Sequence, residues 1–325
     1  MSSPASSKQE AVVLADIGGT NARFALYCEG HLGKSERLPV AEFTTASAAL
    51  SHFVGAKGVA VRGAILAAAG PVEAGRVALT NSPWVIDGPV LASELGAPVR
   101  VVNDFAAVAW SLPALTAGDL VEIGTATAEP GAPAAALGPG TGLGLAHFVP
   151  DAGGLVIATE GGHATMAADN SREEAVIALL RGRFGHVSAE RVLSGAGLVN
   201  LYEAIAELDG AAAAPRTPEE VTAAALAGRC EVCRAALDMF CGMLGGFAGN
   251  VALMAGARGG VYIAGGIVPG LTGYLAKSDF RQRFEAKGRY RRYLAGVATR
   301  VIVHPDPAFV GLRSLAERLF DPDGR

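Results

Sequence analysis

Charge is scarce in this chain. Asp, Glu, Lys and Arg make up only 18% of its 325 residues, against 50% that are apolar. That balance excludes an intrinsically disordered chain, which carries the opposite proportions. Positive charge is scarcer still: 27 Lys and Arg face 31 Asp and Glu, for a net charge of -4. No broad basic surface is implied, so nucleic acid is not an expected partner. The opening residues MSSPASSKQE lack the apolar core of a secretory leader and read as a short tail. There are four cysteines: Cys28, Cys230, Cys233 and Cys241. Cys230 and Cys233 form a CxxC inside the helical stretch AALAGRCEVCRAALDMFCGML. No second CxxC or nearby His completes a zinc site, so these are expected to be helix-packing thiols in a reducing cytoplasm.

Two nucleotide signatures are also missing. G-x-x-x-x-G-K-[ST] is absent, which excludes a P-loop protein. The loop at 138–144 reads G-x-G-x-G-x-G and not G-x-G-x-x-G, which counts against a dinucleotide-binding dehydrogenase. A long uncharged run extends from Phe240 to Ala257, with a GxxxG spacing at Gly242 and Gly246. Its glycines and Asn250 dilute it, and a charged amphipathic stretch precedes it. A buried helix of a soluble domain is expected there, and no membrane association.

Glycine, by contrast, is abundant, with 43 residues. Many sit in clusters after apolar runs. Strands are expected at 11–17, 23–28, 37–40, 59–69, 76–80 and 99–102, with helices at 47–54 and 89–95. A second set follows, with strands at 134–137, 143–149, 154–158, 260–264 and 300–304. Helices are expected there at 171–183, 188–192, 195–207, 217–227 and 229–257, and a closing helix at 308–320. Apolar strands alternating with helices indicate α/β sheets covered on both faces. The boundaries fall at residues 1–112 plus 305–325 for a smaller domain and 113–304 for a larger one.

Three glycine clusters end apolar strands: Asp16-Ile-Gly18-Gly19-Thr20-Asn21, the loop bearing Gly140, Thr141 and Gly142, and Gly265-Gly266. Convergent backbone N–H groups in tight turns suit phosphate, and glycine removes the Cβ that blocks its approach. A lone Gly-Gly reads equally well as a hairpin turn; three clusters make ligand binding the better reading. Asp16 ends a strand where a carboxylate can hold Mg²⁺, directly or through water.

A second set of residues suits a polyhydroxylated ligand. Asn103 and Asp104 end the strand VRVVND, Glu160 and His163 lie in TEGGH, and Glu190 lies in HVSAERVLSG. Carboxylates and an amide can grip adjacent hydroxyls, and an imidazole adds a partner. Taken singly, Asp104 also reads as a helix N-cap, and Glu190 as an ordinary helix residue. His163 lacks the further His or Cys ligands a metal would need, which favours hydrogen bonding.

Together LADIGGTNARFAL, VVNDFAAVAW, GPGTGLGLAH, EGGH, GHVSAERVLSGAGLVNLY and GGVYIAGGIVP resemble the bacterial glucokinase family, in order over about residues 10 to 310. The chain departs from the family's common pattern at Gly270, at Pro139 and in the tail FVGLRSLAERL. The resemblance implies the two-domain actin-like, ribonuclease-H-like ATPase fold with a cleft between domains, a cytoplasmic homodimer, and transfer of the γ-phosphoryl group of ATP to the 6-hydroxyl of glucose. ATP with Mg²⁺ would lie against Asp16, Gly18, Gly19, Thr20, Asn21, Gly140, Thr141, Gly142, Gly265 and Gly266. Glucose would be held by Asn103, Asp104, Glu160, His163 and Glu190, with Asp104 as catalytic base and Asn81 and Gly70-Pro71 flanking the pocket. The rival expectations are a kinase for mannose or fructose, a non-catalytic sugar sensor, and an actin-like ATPase of the chaperone or cytoskeletal type.

Overall fold

The computed structural model describes residues 10–79, 82–151 and 153–321. The expected N-terminal tail apart from Glu10, and Thr80, the end of the expected 76–80 strand, lie outside these residues. The chain divides into two compact units. One runs to Leu115 and resumes at Pro305; the other is Thr116–His304.

In the first unit, β1 (Glu10–Ile17) and β2 (Asn21–Cys28) form an antiparallel hairpin. β3 (His31–Leu32) and β4 (Glu36–Pro39) both pair with β2. On the other side, β5 (Ala60–Ala68) runs parallel to β1. A separate two-stranded sheet is made by β6 (Arg76–Ala78) and β7 (Val85–Asp87). β8 (Val99–Asn103) then completes the main sheet, parallel to β5. The period-2 alternation of β1 sends Val13, Ala15 and Ile17 to one face, where they meet Leu50 and Phe53 of the helix Ala46–Lys57. Val12 and Leu14 point the other way, onto Phe309 and Leu312 of the closing helix Pro307–Phe320. Every residue from Ala11 to Ala15 is fully buried, which is why the segment reads as a continuous apolar run. Burial of each large side chain contributes about 1.5–3 kcal/mol.

The second unit repeats this plan. β9 (Leu120–Glu122) is an edge strand. β10 (Ala134–Pro139) and β11 (Leu143–Val149) form an antiparallel hairpin, extended by β12 (Leu155–Thr159). β13 (Val261–Ile263) runs parallel to β10, and β14 (Thr299–Ile302) parallel to β13. Each unit therefore carries a hairpin whose first strand continues into two parallel neighbours, β1-β5-β8 in one and β10-β13-β14 in the other. No fixed-period repeat in the sequence reveals this duplication.

The helix Glu231–Ala255 is long and apolar enough to cross a membrane by length and composition, but 67% of its most apolar window is buried inside the protein. Phe240, Leu244 and Val251 pack with Leu201 and Ile205 of the helix Gly195–Leu208 and with Phe280 and Phe284 of the short helix Phe280–Glu285. This helix starts at Glu231, not at residue 229 as the apolar pattern suggests, and Cys230 is its N-cap.

Candidate active site

In the first unit, chemistry-bearing residues gather at one edge of the sheet. Because β1, β5 and β8 are parallel, their carboxyl ends share that edge. Register places Asp16 beside Ala67, and Ala68 beside Asn103. At about 4.8 Å per strand, Asp16 and Asn103 stand roughly 10 Å apart. Asp16 faces Arg23 across the hairpin, and the two form an ion pair; Arg23 also pairs with Asp306. Burial disfavours the Arg23 charge, but these two carboxylates outweigh it and raise its pKa. The residue type alone singles out neither Arg23 nor Asp306; the hairpin register, counted back from the Gly18-Gly19 turn, points to Arg23, and Asp306 is brought up only by folding. That turn is closed by the Gly18 N–H donating to the Asn21 carbonyl at 3.0 Å. Gly18, Gly19 and Asn21 are partly accessible and Thr20 is exposed.

Asn103 and Asp104 mark the passage from β8 into the helix Asp104–Ser111. Asn103 is the N-cap: its Oδ1 accepts from the N–H groups of Phe105 at 2.9 Å and Ala106 at 3.1 Å, and its Nδ2 donates to the Gly70 carbonyl at 3.1 Å. Both lone pairs of its oxygen are committed, leaving one N–H for a ligand. Asn103 is thus chiefly a positioning residue, not a two-handed grip on a hydroxyl. Asp104 follows in the first turn, half-buried, with Oδ1 accepting from the Phe105 N–H at 2.8 Å. Asn81 lies outside the described residues.

In the second unit the nucleotide-type loops come together. β10 and β13 are parallel, so the turn after Pro139 and the Gly265-Gly266 pair emerge side by side. The Ile267 N–H donates to the Pro139 carbonyl at 3.4 Å, and the Gly140 N–H to the Gly142 carbonyl at 2.8 Å. Gly265 has φ +88°, and a Cβ on it would be driven into the Pro139 carbonyl. Only glycine meets both conditions. Thr141 is exposed at the tip of its loop.

Glu160, His163 and Glu190 also converge. His163 Nε2 is 3.9 Å from Glu160 Oε2, and its Nδ1 is 4.0 Å from Glu190 Oε1. The other oxygen of Glu190 accepts from the Leu143 N–H at 2.9 Å. A Cβ at Gly142 would lie 2.5 Å from that oxygen, so the glycine admits the carboxylate. Glu190 therefore joins the polar cluster to the end of the glycine loop, 47 residues away in sequence. Glu160 and His163 keep 50% and 61% of their side-chain surface, so both are open to a ligand.

No group of three or more His, Cys, Asp or Glu suited to a metal occurs among the described residues. A protein-built metal cage is thus absent there. Asp16, with one oxygen on Arg23, fits the lesser task of holding, through water, a magnesium ion carried by phosphates.

Comparison with known proteins agrees with these features. The sequence profile of the Glucokinase family matches residues 13–319. A glucokinase of Paramagnetospirillum magneticum is 47% identical over 310 residues, covering 94% of this chain and 97% of the relative. The crystal structure of a glucokinase from an Antarctic psychrotroph superposes with a TM-score of 0.85 at 34% identity, covering 95% of this chain and 99% of the other. The glucokinase of Balamuthia mandrillaris, determined in complex with glucose, shares the fold at 20% identity, with a TM-score of 0.81 and coverage of 97% and 95%. The fold is the actin-like one of these sugar kinases. With a family match spanning almost every described residue and close relatives aligned end to end, this chain belongs to the glucokinase family.

Proposed function

We propose that this chain transfers the γ-phosphoryl group of ATP to the 6-hydroxyl of glucose, with Asp104 accepting the proton, giving glucose 6-phosphate and ADP. Its family membership makes it an ATP-dependent hexose kinase, a transferase. The observation that carries the detailed reading is the Glu190 bond to Leu143 N–H. It makes the group of Glu160, His163 and Glu190 and the glycine loop of the second unit one structure, as a kinase acting on a hydroxyl needs.

Glu160, His163 and Glu190 bind sugar hydroxyls in this reading, with Asn103 offering its remaining N–H. The Asp104 carboxylate orients the 6-hydroxyl and takes its proton as the oxygen–phosphorus bond forms. The bond to the β-phosphate breaks in line, and ADP leaves. Gly19 to Asn21, Thr141, Gly142 and Gly265-Gly266 hold the nucleotide by backbone N–H groups, while Gly18 and Gly140 close the two turns with theirs. Asp16 would hold a magnesium ion, which would supply neutralising charge to the phosphates. We place the enzyme in the cytoplasm, where ATP is available and cysteines are ordinarily found as free thiols, as all four are here. We read the active form as a homodimer; light scattering at assay concentration tests it, and a monomer of full activity removes it.

A coupled ADP-release assay over a sugar panel tests the substrate. Glucose is expected to give the highest kcat/KM; faster turnover of mannose or fructose overturns that choice, and glucose binding without ADP release overturns catalysis. Glu190→Gln keeps an acceptor for Leu143 N–H but loses the charge. It is expected to raise KM for glucose about tenfold, the worth of one charge-assisted hydrogen bond. An unchanged KM excludes Glu190 from sugar binding. Gly265→Ala forces a strained backbone against Pro139 and is expected to raise KM for ATP about tenfold. An unchanged value at saturating glucose separates this turn from the nucleotide.

A further inference from the structure

Four thiols are present and they are not alike. Cys230 caps the helix Glu231–Ala255 in an extended conformation, φ -148° and ψ 112°, and its Sγ accepts from the Cys233 N–H at 3.3 Å. Cap positions ordinarily carry oxygen, because sulfur is a weak acceptor. A thiolate is a far better one, and it sits where the helix dipole favours negative charge. Cys230 is partly exposed, whereas Cys233, one turn in, is fully buried. The pair therefore has an outer, partly exposed cysteine and an inner, buried one.

The surroundings supply positive charge. Arg216 lies over the Tyr202 ring at 6.0 Å, and its Nε is buried without a hydrogen-bond partner. Burial opposes ionisation of Cys230, but the Cys233 thiol, the Cys233 N–H, the Arg216 guanidinium and the Val232 N–H outweigh it and hold its pKa below the ordinary thiol value. Burial raises that of Cys233. Elsewhere in the chain, burial raises Cys28 and pushes Cys241 up to about 12. A cavity of about 370 Å³ beside Arg216 is lined by Arg216, Glu220, Ala223, Ala224 and Arg229. Two guanidinium groups against one carboxylate suit a small molecule bearing carboxylates.

We propose that Cys230 and Cys233 form a thiol–disulfide exchange centre whose substrate is a low-molecular-weight disulfide carrying carboxylates. The Cys230 thiolate attacks one sulfur of the substrate. The substrate S–S bond breaks, one thiolate leaves, and a mixed disulfide forms on Cys230. Cys233 then loses its proton to the departed thiolate and attacks Cys230 Sγ. The Cys230–Cys233 bond forms as the second substrate thiolate leaves and takes a proton from solvent. Two protein thiols are oxidised and one disulfide is reduced to two thiols. This centre is independent of the phosphoryl-transfer reading.

The test treats the folded full-length chain with oxidised glutathione, alkylates the remaining thiols and maps each cysteine by mass spectrometry. The wild type is expected to end with a Cys230–Cys233 disulfide and with Cys28 and Cys241 alkylated. Cys233→Ser, and Cys233→Ala should the serine perturb the buried turn, are expected to trap the mixed disulfide on Cys230 alone. Adding Arg216→Gln is expected to slow that trapping about tenfold through loss of thiolate character. Adducts spread equally over Cys28 and Cys241, or no reaction of Cys230 while circular dichroism shows the chain folded, would overturn the proposal.

Discussion

Asp104→Asn is expected to cut turnover by about 10²–10⁴-fold, the usual contribution of a general base. The substitution isolates the proton-accepting role. An asparagine oxygen can still accept from Phe105 N–H, as Oδ1 does now at 2.8 Å, and Asn103 still caps the helix. The lost carboxylate charge at the helix start costs about 0.3–1 kcal/mol, too little to unfold the chain. Glucose affinity, measured by calorimetry, is expected to stay within a few-fold of the wild type. ADP release at saturating glucose and ATP should fall by the full factor. Near-normal turnover would remove Asp104 from the mechanism and leave the fold and family untouched.

Arg283→Met is expected to destabilise the second unit by about 3–5 kcal/mol, because it strands a buried carboxylate. Glu173 is 2% exposed. Arg283 Nη1 and Nη2 donate to its two oxygens at 2.6 and 3.0 Å, and Arg283 Nε lies 2.8 Å from Asp169 Oδ2. Hydrogen bonding to Glu173, opposed by burial, raises the arginine pKa. Glu173 also accepts from the Asp169 N–H and from Asn170 Nδ2, so it fastens the start of the helix Ser171–Phe184. A melting temperature lower by roughly 10 °C is expected. The double variant Glu173→Gln with Arg283→Met removes the stranded charge and should recover most of the loss. A single variant that melts like the wild type would show that the carboxylate finds water or another cation at little cost.

Local signals in the sequence were strong where chemistry depends on neighbours along the chain. β1 runs into Gly18-Gly19 and β8 into Asn103-Asp104, so an apolar run followed by glycine or a polar pair located both ends of the site edge. Glu190 was ambiguous by itself because its identifying partner, Leu143 N–H, is brought up only by folding. Asn103 read as a ligand because its type suits hydroxyls, yet its oxygen is spent on two backbone N–H groups. The short helices Thr272–Leu275, Phe280–Glu285 and Arg291–Ala295 escaped because each has too few residues to show a helical period. Cys230 looks like a helix residue in the sequence because sulfur is a rare cap, yet it is the N-cap. The matching strand orders of the two units depend on pairing between distant segments, which no local pattern encodes.

Determination of a crystal structure with glucose bound tests the central claim most directly. The 6-hydroxyl is expected within about 2.6–3.2 Å of an Asp104 carboxylate oxygen, with Glu160, His163 and Glu190 on the remaining hydroxyls. Glucose bound with its 6-hydroxyl turned away from Asp104, or held without those three side chains, would contradict the proposed catalytic arrangement.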